Sequence, residues 1–266
     1  MGLAIDTVLA SAVNPGAGGA TAVVSTSGDS NVVRYFNPNS NAYLDLVTRM
    51  GTTAGFAQVT SPALHDAVTG IRVTPGESPS VFAMPAGGSQ PLEPGDTLTL
   101  TVSGGAAETD VMLLHTYYQD CPGFNARLHS IGEIQNNIDN IKTQRVSVTS
   151  SATIGAWSDT LIGTTENLLV ANKDYAVLGF ISNTALAAIG IKGGDTGNLR
   201  VCGPGSTLEF ATSQYYWWQS DRTGRPYIPV FNQQNVNNTF VSVAAATASV
   251  AAVVTLILAE LVNRVS

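Results

Sequence analysis

The chain has 266 residues, 44% of them apolar and only 12% charged, with a formal net charge of −7 and no run of Lys or Arg. A face that binds nucleic acid needs clustered cations to displace counterions, so a direct nucleic-acid partner is not expected. The charged share is about half that of an ordinary soluble domain. That points either to a surface covered by partners or to a secreted or merely Thr- and Asn-rich soluble protein.

The opening MGLAIDTVLASAV has no basic residue ahead of its apolar stretch, which argues against a secretory signal. Asp6 stands where a myristoylation site needs Ser or Thr. NVVRYF is followed by the turn cluster NPNSN, and AYLDLVTRM alternates apolar with polar before GTTAG closes it. In LEPGDTLTLTVSGG a Pro-Gly turn precedes Leu98, Leu100 and Val102, which alternate with threonines as in a half-buried strand. DVMLLHTYY reads as a strand of more continuous apolar character.

Residues 125–144, NARLHSIGEIQNNIDNIKTQ, break this β habit. Leu128, Ile131, Ile134, Ile138 and Ile141 recur at three- and four-residue steps, which predicts a helix with Asn125 as N-cap. Ile at both heptad core positions favours trimeric coiled coils, but two heptads are too few to hold one alone. A connecting helix laid over a β-domain is the expectation, with a trimeric seam as the alternative.

Strand-like runs then resume: RVSVTSSATIGAW, ENLLVA, YAVLGFIS, AAIGIKGG, GNLRVCG, RPYIPVF, NTFVSVAA and AAVVTLILAEL. The last apolar run is too short to span a bilayer and is interrupted by Glu260, so a buried strand is expected there.

Two phrases echo each other across the halves: VTGIRVTPG at 68–76 and TGNLRVCGPG at 196–205. Downstream, TLTLTVSGGAAETDVMLLH lies over TFVSVAAATASVAAVVTLI without a gap. Thr97 then falls on Thr239, Ala106 on Ala248, Val111 on Val253 and Leu114 on Leu256. The alternation of Leu98, Leu100 and Val102 is one residue out of phase with Val241 and Val243, and the second half carries an extra TSQYYWWQSDRTG. Several features agreeing in order predict a duplicated β unit. Each copy, at roughly 120 residues, is large enough to bury a core. The expected fold is all-β, with two tandem jelly-roll-like β-sandwiches joined by a short α-helix. The divisions are 1–124 for the first sandwich, 125–145 for the helix and 146–266 for the second sandwich.

This organisation resembles the double jelly-roll major capsid proteins of tailless icosahedral viruses and phages. The resemblance lies in architecture and turn pattern along the whole chain. It implies a non-enzymatic virion protein, assembled in the host cytoplasm as homotrimers that tile a shell, often over an internal membrane. Its partners would be further copies of itself and other virion proteins. Two alternatives stand beside it: a trimeric phage head fibre, spike or decoration protein, and a carbohydrate-binding β-sandwich.

No chemistry is written plainly. His65, His115 and His129 are scattered without metal-ligand spacing, and a core or sheet-face role is expected for His115. GPGS at 203–206 lacks the strand–turn–helix context of a nucleophile elbow, and KGGDTGN at 192–198 reads as a β-turn. Asp195 and Asn198 supply too few oxygens for a Ca²⁺ site. No cofactor is expected. Cys121 and Cys202 are expected as two buried thiols, with a single bridge left open.

QYYWWQSDR at 214–222 is the most distinctive local feature. Its aromatics could be core under a loop, a subunit interface or a sugar-stacking platform. A shell protein favours the interface. The interface candidates are therefore Tyr215, Tyr216, Trp217, Trp218, Ile131, Ile134, Ile138 and Ile141.

Overall fold

A computed structural model describes residues 2–13, 20–22, 29–51, 56–62, 64, 70–73, 80–83, 89–103, 109–205 and 212–265. The first half contributes β1 (Leu3–Val13), β2 (Ala20–Ala22), β3 (Asn41–Met50), β4 (Phe56–Thr60), β5 (Ile71–Val73), β6 (Ser80–Ala83), β7 (Gln90–Leu92), β8 (Thr99–Ser103) and β9 (Thr109–Gln119). They form one sheet in the order β1-β9-β3-β6, with β7 also on β3, and a second in the order β2-β8-β4-β5.

The second half opens with β10 (Leu128–His129) and α1 (Ile131–Gln135), then β11 (Ile138–Thr149), β12 (Ser158–Leu161), β13 (Asp174–Ser182), β14 (Leu186–Gly193) and β15 (Arg200–Gly205). A helix, α2 (Tyr215–Thr223), precedes β16 (Ile228–Asn232), β17 (Thr239–Ala244) and β18 (Ala251–Leu261). Its sheets run β10-β16-β13-β18-β11 and β12-β17-β14-β15. Among the described residues no sheet mixes strands of the two halves.

Setting β1 on β11, β3 on β13, β6 on β16 and β9 on β18 makes the first sheet of each half identical in order. Setting β2 on β12, β4 on β14, β5 on β15 and β8 on β17 does the same for the other sheet. These are two tandem jelly rolls with the same connectivity. The repeated Arg-Val phrase is explained: Arg72-Val73 lies in β5 and Arg200-Val201 in its counterpart β15. In the gap-free overlay Thr109 meets Ala251 and Gln119 meets Leu261, the ends of two 11-residue strands. The out-of-phase alternation is also real, because the core takes Leu100 and Val102 from β8 but Val241 and Val243 from β17. The overlay at Ala106, like His65 and most of 68–76, lies outside the described residues.

The helix expected over 125–144 is corrected. Ser130 begins it, with the Glu133 carboxylate accepting from both the backbone N–H and the hydroxyl of Ser130 at 2.7 Å. It ends at Gln135. From Ile138 the chain is β11, which pairs with β18 along its length. A bulge between Ile138 and Asn140 places Ile138 and Ile141, three residues apart, on one face of that strand. A three-residue step that mimics helical spacing is thus absorbed by an irregular strand. The trimeric helical seam has no helix long enough to form it.

The sheet β1-β9-β3 is buried on both faces. Ala4, Val8, Met112 and Leu114 face the core of the first sandwich, whereas Ile5, Leu9, Leu113 and Tyr117 join the core of the second half. That double burial accounts for the continuous apolar run DVMLLHTYY. Cys121 and Cys202 are free, buried and in different cores, so no bridge joins them.

Candidate functional site

The outer face of β1 and β9 docks on β14, β15 and α2, and this join between sandwiches carries most of the distinctive side chains. Thr7 Oγ1, on β1, donates to the Arg200 carbonyl (2.7 Å) and accepts from the Cys202 N–H (3.2 Å), stitching the edge of one sandwich to the edge of the other. His115 is fully buried, with Nδ1 2.8 Å from the Tyr227 hydroxyl and 3.5 Å from that of Tyr215. Burial pushes its pKa down to about 3, with the Arg222 charge adding to the effect, so the imidazole stays neutral.

Beside it Asp45 accepts from Arg225 Nη1 at 3.0 Å, and the Arg225 guanidinium stacks over the Tyr43 and Tyr117 rings at 4.0 and 5.2 Å. Desolvation raises the Asp45 carboxyl above its ordinary range although two arginines pull it down. The join is therefore an aromatic and hydrogen-bonded seam with one buried ion pair.

QYYWWQSDR is not loop but α2. Tyr215, Tyr216, Gln219 and Ser220 form its buried face, the i, i+1, i+4, i+5 pattern of a helix lying on a core. Gly224 caps it in the left-handed region (φ 67), its N–H donating to the Ser220 carbonyl at 2.9 Å. Gly224 followed by Pro226 is the sequence signal that could have marked this helix. The Tyr215 ring packs on Gly203, and the Tyr216 hydroxyl donates to the Val201 carbonyl at 2.5 Å.

Of the eight interface candidates, Tyr215, Tyr216 and Ile134 are buried within the chain and have no surface to offer a second molecule. Trp217, Ile131 and Ile138 are half-buried. Trp218 (47% exposed) and Ile141 (51%) keep substantial surface, on α2 and β11 respectively. The four aromatics do not line up as a sugar platform, because consecutive rings on a helix point in different directions. Asp195 is occupied in the fold: it accepts from the Asn232 N–H (3.2 Å) and Asn235 Nδ2 (2.8 Å) and lies 3.7 Å from Arg127. His129 is buried in β10, 3.9 Å from Glu133.

Two carboxylates with no mark in the sequence pattern cap the outer strands. Asp29 accepts from the Leu9 N–H of β1 (3.1 Å) and Glu166 from the Arg145 N–H of β11 (2.8 Å). Leu9 pairs with Leu113 and Arg145 with Thr255, which are equivalent positions of β9 and β18. Asp29 also accepts from Trp157 Nε1 (2.7 Å) and lies 4.0 Å from Arg200, so it works inside the join. Glu166 pairs with Arg145 of its own unit at 3.1 Å.

No family model and no curated protein matches the chain. In structure the chain is similar to one from an archaeal virus described for its triple jelly-roll fold and turret assembly (11% identity, TM-score 0.22). That match covers 97% of this chain and 59% of the other, so this chain spans little more than half of that protein's length. It is also similar to the STIV MCP (9%, TM-score 0.21, covering 98% and 97%). A third similarity is to a chain from the atomic structure of Sulfolobus Turreted Icosahedral Virus (10%, TM-score 0.25, covering 99% and 81%). At these scores the superpositions carry no weight of their own, and the functional case rests on the fold described above.

Proposed function

We propose that the protein is a virion structural protein, a non-catalytic building block that assembles as homotrimers into an icosahedral shell. The observation that carries this is the strand-for-strand repetition of one jelly-roll connectivity within a single chain. Two like units locked side by side through a buried seam make a rigid block with two similar lateral faces. Three such blocks about a threefold axis present six similar faces, which suits a hexagonal lattice.

The seam supports this use, since it fixes the relative orientation of the units by apolar packing, the Asp45–Arg225 pair and the His115–Tyr227 bond. The same proposal divides the units between β9 and β10. It gives Trp218 and Ile141 to contacts between copies, and it leaves other virion proteins as further partners. Scarce surface charge fits contacts made by apolar and aromatic anchors.

Sedimentation velocity and negative-stain microscopy of the purified chain at tens of micromolar test this. Trimers or closed particles are expected. A folded, stable monomer at that concentration overturns the proposal.

A further inference from the structure

We infer that the outer face of β18 and β11 is the docking surface for a second copy of this chain. That copy lays on it the outer face of its own β4–β5 edge, with its Arg72 directed at Glu166. The inference deepens the assembly reading above and rests on it.

Equivalent strands of the two units are unequally buried. β9 is buried on both faces from Asp110 to Tyr118, because the second sandwich covers its outer side. β18 is its counterpart, and there the pattern alternates: Ala252, Val254, Leu256 and Leu258 are buried, whereas Val253, Thr255 and Ile257 remain half-exposed. Ile181 pairs with Thr255, and Ile141 lies on the same side of β11, 51% exposed. Among the described residues this face is thus covered on the first unit and only partly covered on the second, where the Thr212–Ser213 backbone lies over Gly179 beside Ile257. The remaining surface of Ile, Val and Thr has the mixed, weakly charged composition of an interface.

What covers the first face tells what fits the second. There the work is done by the edge of the β12-β17-β14-β15 sheet, with Arg200 and Cys202 of β15 outward and Arg200 beside Asp29. The counterpart edge in the first unit is β4–β5. Its Arg72 is exposed on the same outward side, stacked over Phe56 (4.5 Å) and donating to Gln58 (3.2 Å). Asp29 has its own counterpart in Glu166. Placing a neighbouring copy's β4–β5 edge over β18 therefore brings a second cation to Glu166, which already pairs with Arg145 at 3.1 Å, much as Arg200, paired with Asp159 at 2.9 Å, lies 4.0 Å from Asp29 within the chain.

Strand addition is blocked at the middle of β11. The N–H groups of Arg145 and Ser147 on β11 are already taken by Glu166 Oε1 and Thr165 Oγ1, at 2.8 and 2.7 Å. The contact is face to face. It joins different patches of the two copies, head to tail, and such a contact closes into a ring when its rotation allows.

Sedimentation velocity of the full chain tests this, with near-UV circular dichroism as the check on folding. Ile257→Lys places a charge in the middle of the face and should weaken association by about a hundredfold or more. Arg72→Glu and Glu166→Arg should each weaken it about tenfold, and the double variant should recover most of the loss. Damage to the fold at Glu166 would not be repaired by a change in the other sandwich. If Ile257→Lys does not fold, the charge pair decides, and a double variant no better than the singles overturns the inference. Undiminished association in all the single variants overturns this face but leaves assembly itself standing. A parent chain that sediments only as a monomer overturns both.

Discussion

His115 Nδ1 lies 2.8 Å from the Tyr227 hydroxyl, so one fully buried hydrogen bond ties β9 of the first jelly roll to the segment entering β16 of the second. The two rings also stack, with centroids 5.8 Å apart, and Tyr227 stacks in turn on Tyr117 at 5.7 Å. Tyr227→Phe keeps the stack and removes the hydroxyl. It should cost about 1–3 kcal/mol, the price of leaving a buried polar atom without its partner. Denaturant unfolding measures this, and a variant within about 0.3 kcal/mol of the parent would show that the bond contributes nothing to the seam.

The same histidine makes the seam sensitive to acid. Burial lowers its pKa from 6.5 to about 3, so between those values the unfolded chain binds a proton that the native chain refuses. Stability contributed by this group is present above 6.5 and lost as the pH falls toward 3, with a slope of roughly 1 kcal/mol per pH unit. Asp45, facing the same seam, has a raised carboxyl pKa, and its sign is opposite: that contribution is present in acid and lost as the pH rises through its folded value. Burial keeps the Tyr215 and Tyr227 hydroxyls neutral. His115→Asn should therefore show a smaller drop in Tm between pH 7 and pH 4 than the parent. Equal drops in the two proteins would exclude His115 as the source.

A second buried charge pair sits in the first jelly roll. Arg49 Nη2 on β3 lies 2.8 Å from Asp110 Oδ1 on β9, with side chains 1% and 0% exposed. Removing one partner takes away the opposite charge that offsets the other's desolvation. Asp110→Ala should destabilise by about 3–5 kcal/mol, whereas replacing both groups together with apolar residues should cost far less. Chemical denaturation of the two variants separates these outcomes. A double variant as unstable as the single would mean that the packing around the pair, rather than the unbalanced charge, sets the cost.

The β-rich class, the repeat and the closing strand were legible because each rests on local pattern. Leu98, Leu100 and Val102 alternate, the Arg-Val phrase recurs, and the AAVVTLILAEL run falls on β18. The helix over 125–144 misled because spacing alone cannot distinguish a helix from a bulged strand, and the partner that decides, β18, lies more than a hundred residues away. Two of the four aromatics, Tyr215 and Tyr216, misled in another way. Their composition suits an outer interface, and only tertiary packing shows that Tyr215 and Tyr216 serve an inner one. The matched carboxylates Asp29 and Glu166 had no signal at all, since their equivalence exists only in the register of β1 and β11.

Gly203 makes room for the Tyr215 ring inside the second jelly roll. It lies in β15, and a Cβ built on it would come within 2.5 Å of the Tyr215 ring at Cε1 and Cζ. Tyr215 cannot retreat freely, because its ring packs against Phe180 and Tyr216 at 5.8 and 5.1 Å and its face is the buried side of α2. Gly203→Ala should therefore act as overpacking and cost about 1–3 kcal/mol. Trimming the ring in the same chain, Gly203→Ala with Tyr215→Leu, gives the methyl room, so the pair should be less destabilised than the sum of the single changes. Thermal unfolding of the four proteins completes the cycle. Strict additivity would mean that the glycine is not there to admit the tyrosine.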